Sequence, residues 1–322
     1  MKRRALLASA GFLLFDRPVL GKVLELPKRP EVPTPLPSRL GASDITALDA
    51  LTAEFRALAQ RWGGGAATIC AIARRSERLL TVSASDILTD RLHSALAKLH
   101  IVAGWAAFDE CLDDTARDHF GRAISLAGAA DDPYWIGFAL YGGGRIAAES
   151  GHPNDAVKHY QLAQFAVGLD DRRHDNAPAL TGLLHGESAL ELAALEHRLV
   201  REELAALGDT KPNADSLHLT AQTHIRMGNL DIAQSFAVGA VQRWEGSPKR
   251  RYAAMADITL AMVYVLAGEP RGLPLAHKAI ASVAEIRSIR ARTRLRNLVA
   301  ALECRPGSDY KELAMRARKF SL

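Results

Sequence analysis

Three cysteines in 322 residues, Cys70, Cys111 and Cys304, are too few and too scattered for a disulfide framework or a four-cysteine zinc site. A reducing, cytosolic composition is the simplest expectation. Aromatics are only 6% of the chain, and alternating Val, Ile, Thr and Tyr runs are scarce. That excludes a β-sandwich or barrel. No G-x-S-x-G, H-E-x-x-H or G-x-x-x-x-G-K-[ST] frame occurs, and no paired Glu-x-x-His motifs suggest a di-metal site. No catalytic residue, metal ligand or cofactor is therefore expected, and the chain does not read as an enzyme.

What is abundant is alanine, about one residue in six. Alanine is the best helix former, and its small side chain lets helices approach closely. Apolar residues are 48% and charged residues 24%, which fits a folded chain. The net charge of +5 hides a division. Residues 1–30 carry +5, residues 287–322 carry +7, and the body between them carries −7. An acidic body with basic ends is not the footprint of a nucleic-acid-binding core.

The amino end opens MKRRALLASAGFLLF. Arg3-Arg4 before an apolar run resembles a twin-arginine export signal. The run from Ala5 to Phe15 has eleven residues, too short to span a bilayer. Residues 27–37 hold five prolines and read as an extended linker. Residues 1–40 are thus a basic, apolar segment and linker. A cytoplasmic location is expected, with export by the twin-arginine route as the alternative.

From residue 41 the pattern is helical, with N-terminal helices over 41–100 and Gly63-Gly64-Gly65 as a helix stop. Over 101–286, turns recur at Cys111, Gly151, near Ala189, Gly228 and Gly268, about 40 residues apart. Such a period means a right-handed solenoid of helical hairpins, all-α. Small residues (Gly104, Gly144, Ala221, Ala261) stand seven positions before these turns. Ala116, Ala156 and Ala233 follow five after, then Phe120, Tyr160 and Ala237. Antiparallel helices approach within ~8–10 Å only where contact residues are small. This is a tetratricopeptide-like pattern with a longer period. Residues 287–322 form a basic capping helix and tail.

Several segments agree in order with one family. LGASDITALDALTAEFRALAQRWGGGA (40–66), GWAAFDE (104–110), ARDHFGRAISLAGAADD (116–132), THIRMGNLDIAQSFA (223–237) and RARTRLRNLVAAL (290–302) resemble the sensor region of actinobacterial Cro-like (XRE-type) transcriptional regulators. In that family a helix-turn-helix domain precedes a tetratricopeptide-like array. The resemblance implies a transcriptional sensor. No helix-turn-helix reads within 41–322, so DNA contact is expected only indirectly or through a domain outside this sequence.

In such an array the first helix of each hairpin lines the concave groove. The candidate groove residues are Trp105, Phe108 and Asp109, then Tyr141, Arg145 and Glu149, then His218, Gln222 and Arg226. Arginines among aromatics and an amide suit a carboxylate or an extended peptide backbone. The expected partner is a peptide, a small ligand or a protein, with a homodimer left open. The alternative is a pure protein–protein scaffold. His185, Glu187, Glu191 and His197 lie along the third unit, Glu187 and Glu191 on one helix face, and read as solvated or capping residues. Gly142-Gly143-Gly144 reads as a close-packing site within a helix.

Overall fold

The computed structural model describes residues 36–169, 174–195, 198–208 and 213–321. The export-signal and linker reading of residues 1–35 lies outside them, as do His197 and residues 170–173. Fourteen α-helices and no strand occur among the described residues. The fold is an all-α array of helical hairpins. None of these helices is long and apolar enough to cross a membrane.

Two helices and a short turn open the array: α1 (Ala42–Trp62), α2 (Ala66–Ser76) and the 3-10 turn Glu77–Thr81. Gly63, Gly64 and Gly65 separate α1 from α2, all with φ between 70° and 87°. Only glycine adopts that geometry without strain, which is why the helix stops there. Three hairpins follow: α3 (Asp86–Asp109) with α4 (Asp113–Ala129), α5 (Pro133–Glu149) with α6 (Pro153–Gly168), and α7 (Ala177–Ala194) with α8 (Val200–Gly208). Two more are α9 (Ala214–Arg226) with α10 (Leu230–Trp244), and α11 (Arg250–Ala267) with α12 (Gly272–Ala284). The chain ends in α13 (Ile289–Glu303) and α14 (Ser308–Arg318).

The small-residue rule holds at atomic detail. A Cβ added to Gly104 would lie 2.7 Å from the Phe120 ring, and one on Gly142 would overlap the same ring. A Cβ on Gly144 would overlap Tyr160. Phe120 and Tyr160 are buried, Phe120 between Gly104 of the preceding helix and Gly142 of the following one, Tyr160 against Gly144 of the preceding helix. The Gly142–Gly144 run is therefore a packing device.

Three boundaries and one long-range contact differ from the sequence expectation. The break at residue 100 falls inside α3, whose core-facing residues run unbroken through Leu99, Ile101, Val102 and Ala103. The turn expected near Ala189 is mid-helix. The segment SALELAA contains no glycine or proline, so α7 runs on to Ala194. The last segment holds a second helix, α14, packed on α13. Finally, α13 does not merely cap the array. Arg287 donates its backbone N–H to the Trp62 carbonyl at 2.7 Å, joining the end of the array to its beginning.

Candidate functional site

That joining changes the concave face from an open groove into a lumen. Asp109, at the end of α3, is the centre of the seam. It is 2% exposed and accepts hydrogen bonds from Arg251 Nη1 at 2.8 Å and Ser288 Oγ at 2.6 Å. Arg290 donates twice to the Phe108 carbonyl, at 3.0 and 2.9 Å, and to Asp113 at 2.6 Å. Its guanidinium also stacks 3.8 Å from the Phe108 ring centroid. Arg294 reaches Glu149 at 2.6 Å. These contacts unite residues 142 to 182 positions apart in the chain. Burying charges is costly unless they are paired, and here each seam charge has a partner.

The lumen has a volume of about 340 Å³. That is within the range of small-molecule sites, roughly 300–1,000 Å³. Its wall is aromatic on one side: Trp105, Phe108, Tyr134, Trp135, Phe138 and Tyr141 all face it. Trp105 is the hub, edge-on to Phe108 at 5.6 Å and 5.1 Å from Tyr141. Trp244 and Tyr252 add a stacked pair at 5.4 Å. Three of the four tryptophans thus line one cavity, in a chain poor in aromatics.

Of the nine expected groove residues, seven line the lumen: Trp105, Phe108, Asp109, Tyr141, Arg145, His218 and Gln222. Their roles differ. Asp109 is consumed by the seam. Arg145 pairs with Glu187, whose carboxylate also accepts from Tyr141 Oη at 3.2 Å. Burial opposes the Arg145 charge, but Glu187 and Tyr141 outweigh it and hold its pKa well above the ordinary value. Burial raises the Tyr141 pKa, and Glu187 raises it further. Burial, with Arg294 and Arg145 nearby, lowers the His218 pKa to about 3, so its imidazole is neutral.

Glu149 and Arg226 are not brought into the lumen. Glu149 lies behind the wall between Arg145, Arg290 and Arg294, at 3.2, 3.6 and 2.6 Å. Burial alone would raise its pKa, but these three cations, Arg294 first, hold it down to about 2. Arg226 donates to the Leu190 carbonyl at 3.0 Å and sits 3.7 Å from Glu191. It ties α9 to α7. Glu187 and Glu191, read as solvated, are 2% and 5% exposed. The turn of α7 faces inward because α8 and α9 cover its other side.

The sequence reading did not include Arg56 from α1, Tyr134, Trp135 and Phe138 from α5, or Lys249, Arg251 and Tyr252 at the start of α11. Tyr134, Phe138, Tyr141 and Arg145 are spaced four, three and four apart, one helical face. That signal was readable. The residues of α1 and α11 had none, because only the seam brings those helices together.

Among the described residues no cluster of three or more His, Cys, Asp or Glu is arranged to hold a metal. No protein-family model and no curated protein matches the chain. Fold and site together define a class: a helical-hairpin array closed on itself around an aromatic, cation-bearing lumen.

Proposed function

We propose that this chain is a non-enzymatic regulatory sensor that binds a small ligand in its lumen and reports occupancy through the closure of the array. The observation carrying this reading is the lumen itself: about 340 Å³, lined by residues of both arms of a seam. A ligand touching Arg56 and Trp135 on one arm and Arg251 and Tyr252 on the other binds the closed state better than an open one. That differential affinity is the requirement for a ligand-driven switch. The resemblance noted in the sequence makes transcription the process regulated, and the tetratricopeptide-like pattern makes the array a repeat module. Closure favours a small molecule over an extended peptide, which needs an open groove.

Ala179 is exposed, lines the lumen and supports no core contact. Ala179→Trp should fill the lumen without unfolding the array. Native mass spectrometry of the chain incubated with a metabolite extract should show a retained small molecule, lost in Ala179→Trp. Equal retention by both proteins, or none by either, contradicts the reading.

A protein-scaffold reading has one observation of its own. Leu162 and Phe165 on α6 and Leu169 just after it are 56%, 67% and 59% exposed and continue one face. An exposed apolar row of this kind suits a partner protein. A stable complex formed without any small ligand, and broken by Phe165→Ser, would favour it.

A further inference from the structure

The charges around the lumen are unequally matched. Arg145, Arg251, Arg290 and Arg294 each pair with a carboxylate. Two lumen cations, Arg56 and Lys249, make no ion pair among the described residues. Each instead lies over a ring: Arg56 is 5.7 Å from Trp135, and Lys249 is 5.5 Å from Trp244 and 5.9 Å from Tyr252. Both line the same lumen, on helices that pack against each other across the seam, α1 for Arg56 and the start of α11 for Lys249. Burial lowers the Arg56 pKa, the sign of a cation held without an anion. The Trp135 indole N–H is buried and has no hydrogen-bond partner, so it adds a third unused donor beside Arg56.

Among the described residues lining the lumen, Asp215 is the one carboxylate without an ion pair; burial raises its pKa, Lys249 opposes the shift and Glu187 adds to it. Two unpaired cations against one weakened carboxylate leave this end of the lumen short of about one negative charge. Glu187, which also acts electrostatically on Asp215, has one carboxylate oxygen without a hydrogen-bond partner, but Arg145 already balances its charge. A cationic guest would meet four paired arginines and two unpaired cations.

Resting on the reading of the lumen as a ligand site, we propose that its ligand is a planar organic acid carrying one negative charge. The acid group lies between Arg56 and Lys249, and the ring lies against Trp135 and Tyr252. Guanidinium and ammonium donors to a carboxylate in a part-buried site make charge-assisted hydrogen bonds. The aromatic wall takes the ring by offset or edge-on contact. Arg56 and Lys249 come from opposite arms, so the acid group would bridge the seam.

Three probes share one ring and differ in charge: indole-3-acetate, indole-3-acetamide and tryptamine. Titration calorimetry on the full chain should rank them in that order, with the acid at least about tenfold tighter than the amide, ~1.4 kcal/mol. In the Arg56→Gln/Lys249→Gln variant that preference should vanish while the amide keeps its affinity. Neither residue holds a structural ion pair, so helicity and thermal midpoint should match the parent. An amide or amine that binds as well as the acid overturns the ligand class and leaves the lumen reading standing. A preference for the acid that survives the double substitution overturns the placement. No binding by any probe overturns the inference too, and the Ala179→Trp comparison then decides whether the lumen is a ligand site.

Discussion

At the scale of single residues, burial has fixed protonation states that sequence alone could not give. His100 and His119 are 1% and 2% exposed, with Nδ1 atoms 3.0 Å apart. Two neutral rings can share one proton across that contact, one donating and one accepting; two imidazolium rings would face like charges. Burial and this proximity lower the His100 pKa to about 4 despite Glu77, 3.0 Å from its Nε2. Burial, with Arg74 nearby, takes His119 to about 4 as well. Above the ordinary histidine value of 6.5 both rings are neutral folded or unfolded, and stability is complete. As pH falls from 6.5 towards 4, the unfolded chain takes up protons that the folded chain refuses, so stability drops. The slope is up to about 1.4 kcal/mol per pH unit for each ring. The thermal midpoint should therefore fall steadily between pH 7 and pH 4.5. A flat midpoint across that range would contradict the buried neutral pair.

Elements were the most legible level. Helix α5 reads from its sequence as an amphipathic helix with an internal glycine run, and the structure gives each glycine a neighbour. Gly144→Ala should destabilise the fold by about 1–3 kcal/mol, because its Cβ overlaps Tyr160 and neither backbone can shift freely. Gly121 in α4 has nothing within 4 Å of an added Cβ. Gly121→Ala should stabilise by about 0.5–1 kcal/mol through helix propensity alone. Chemical denaturation of the two variants measures the contrast; the same sign for both would refute the packing account. The hairpin turns at Gly151, Gly228 and Gly268 were readable because glycine marks their positive φ; the turn at Cys111, also at positive φ, was readable only from the 40-residue spacing. The third hairpin was not, since residues 195–199 contain no glycine and α7 continues through strong helix formers to Ala194.

For the whole molecule, the fold class and seven lumen residues were legible, because hairpin periodicity is local and tells which helix faces inward. The seam was not. Its contacts join Asp109 to Arg251 and Ser288, and Phe108 to Arg290, across more than a hundred residues. No periodicity encodes such a pairing. An array with the same hairpins and no seam would present an open groove lined by first helices alone. Arg56, Lys249, Arg251 and Tyr252 would then stand apart, and Arg290 and Arg294 would be the solvated basic face that their spacing suggests. The basic carboxyl end instead neutralises the acidic body, with Arg290 and Arg294 clasping Asp113 and Glu149.

Closure is the claim on which the lumen, its ligand and its switching all depend. At the seam, a Cβ on Gly64 would lie 3.5 Å from the Arg287 Cβ. Disulfides form at Cβ separations of roughly 3.5–4.5 Å. The Gly64→Cys/Arg287→Cys variant puts a side chain at φ 78°, a strain of about 1–2 kcal/mol, and should still cross-link those two positions under mild oxidation, in the monomer, as read by peptide mapping. An open array would keep the two thiols apart. Failure of a folded double variant to form that bond would contradict the closed lumen.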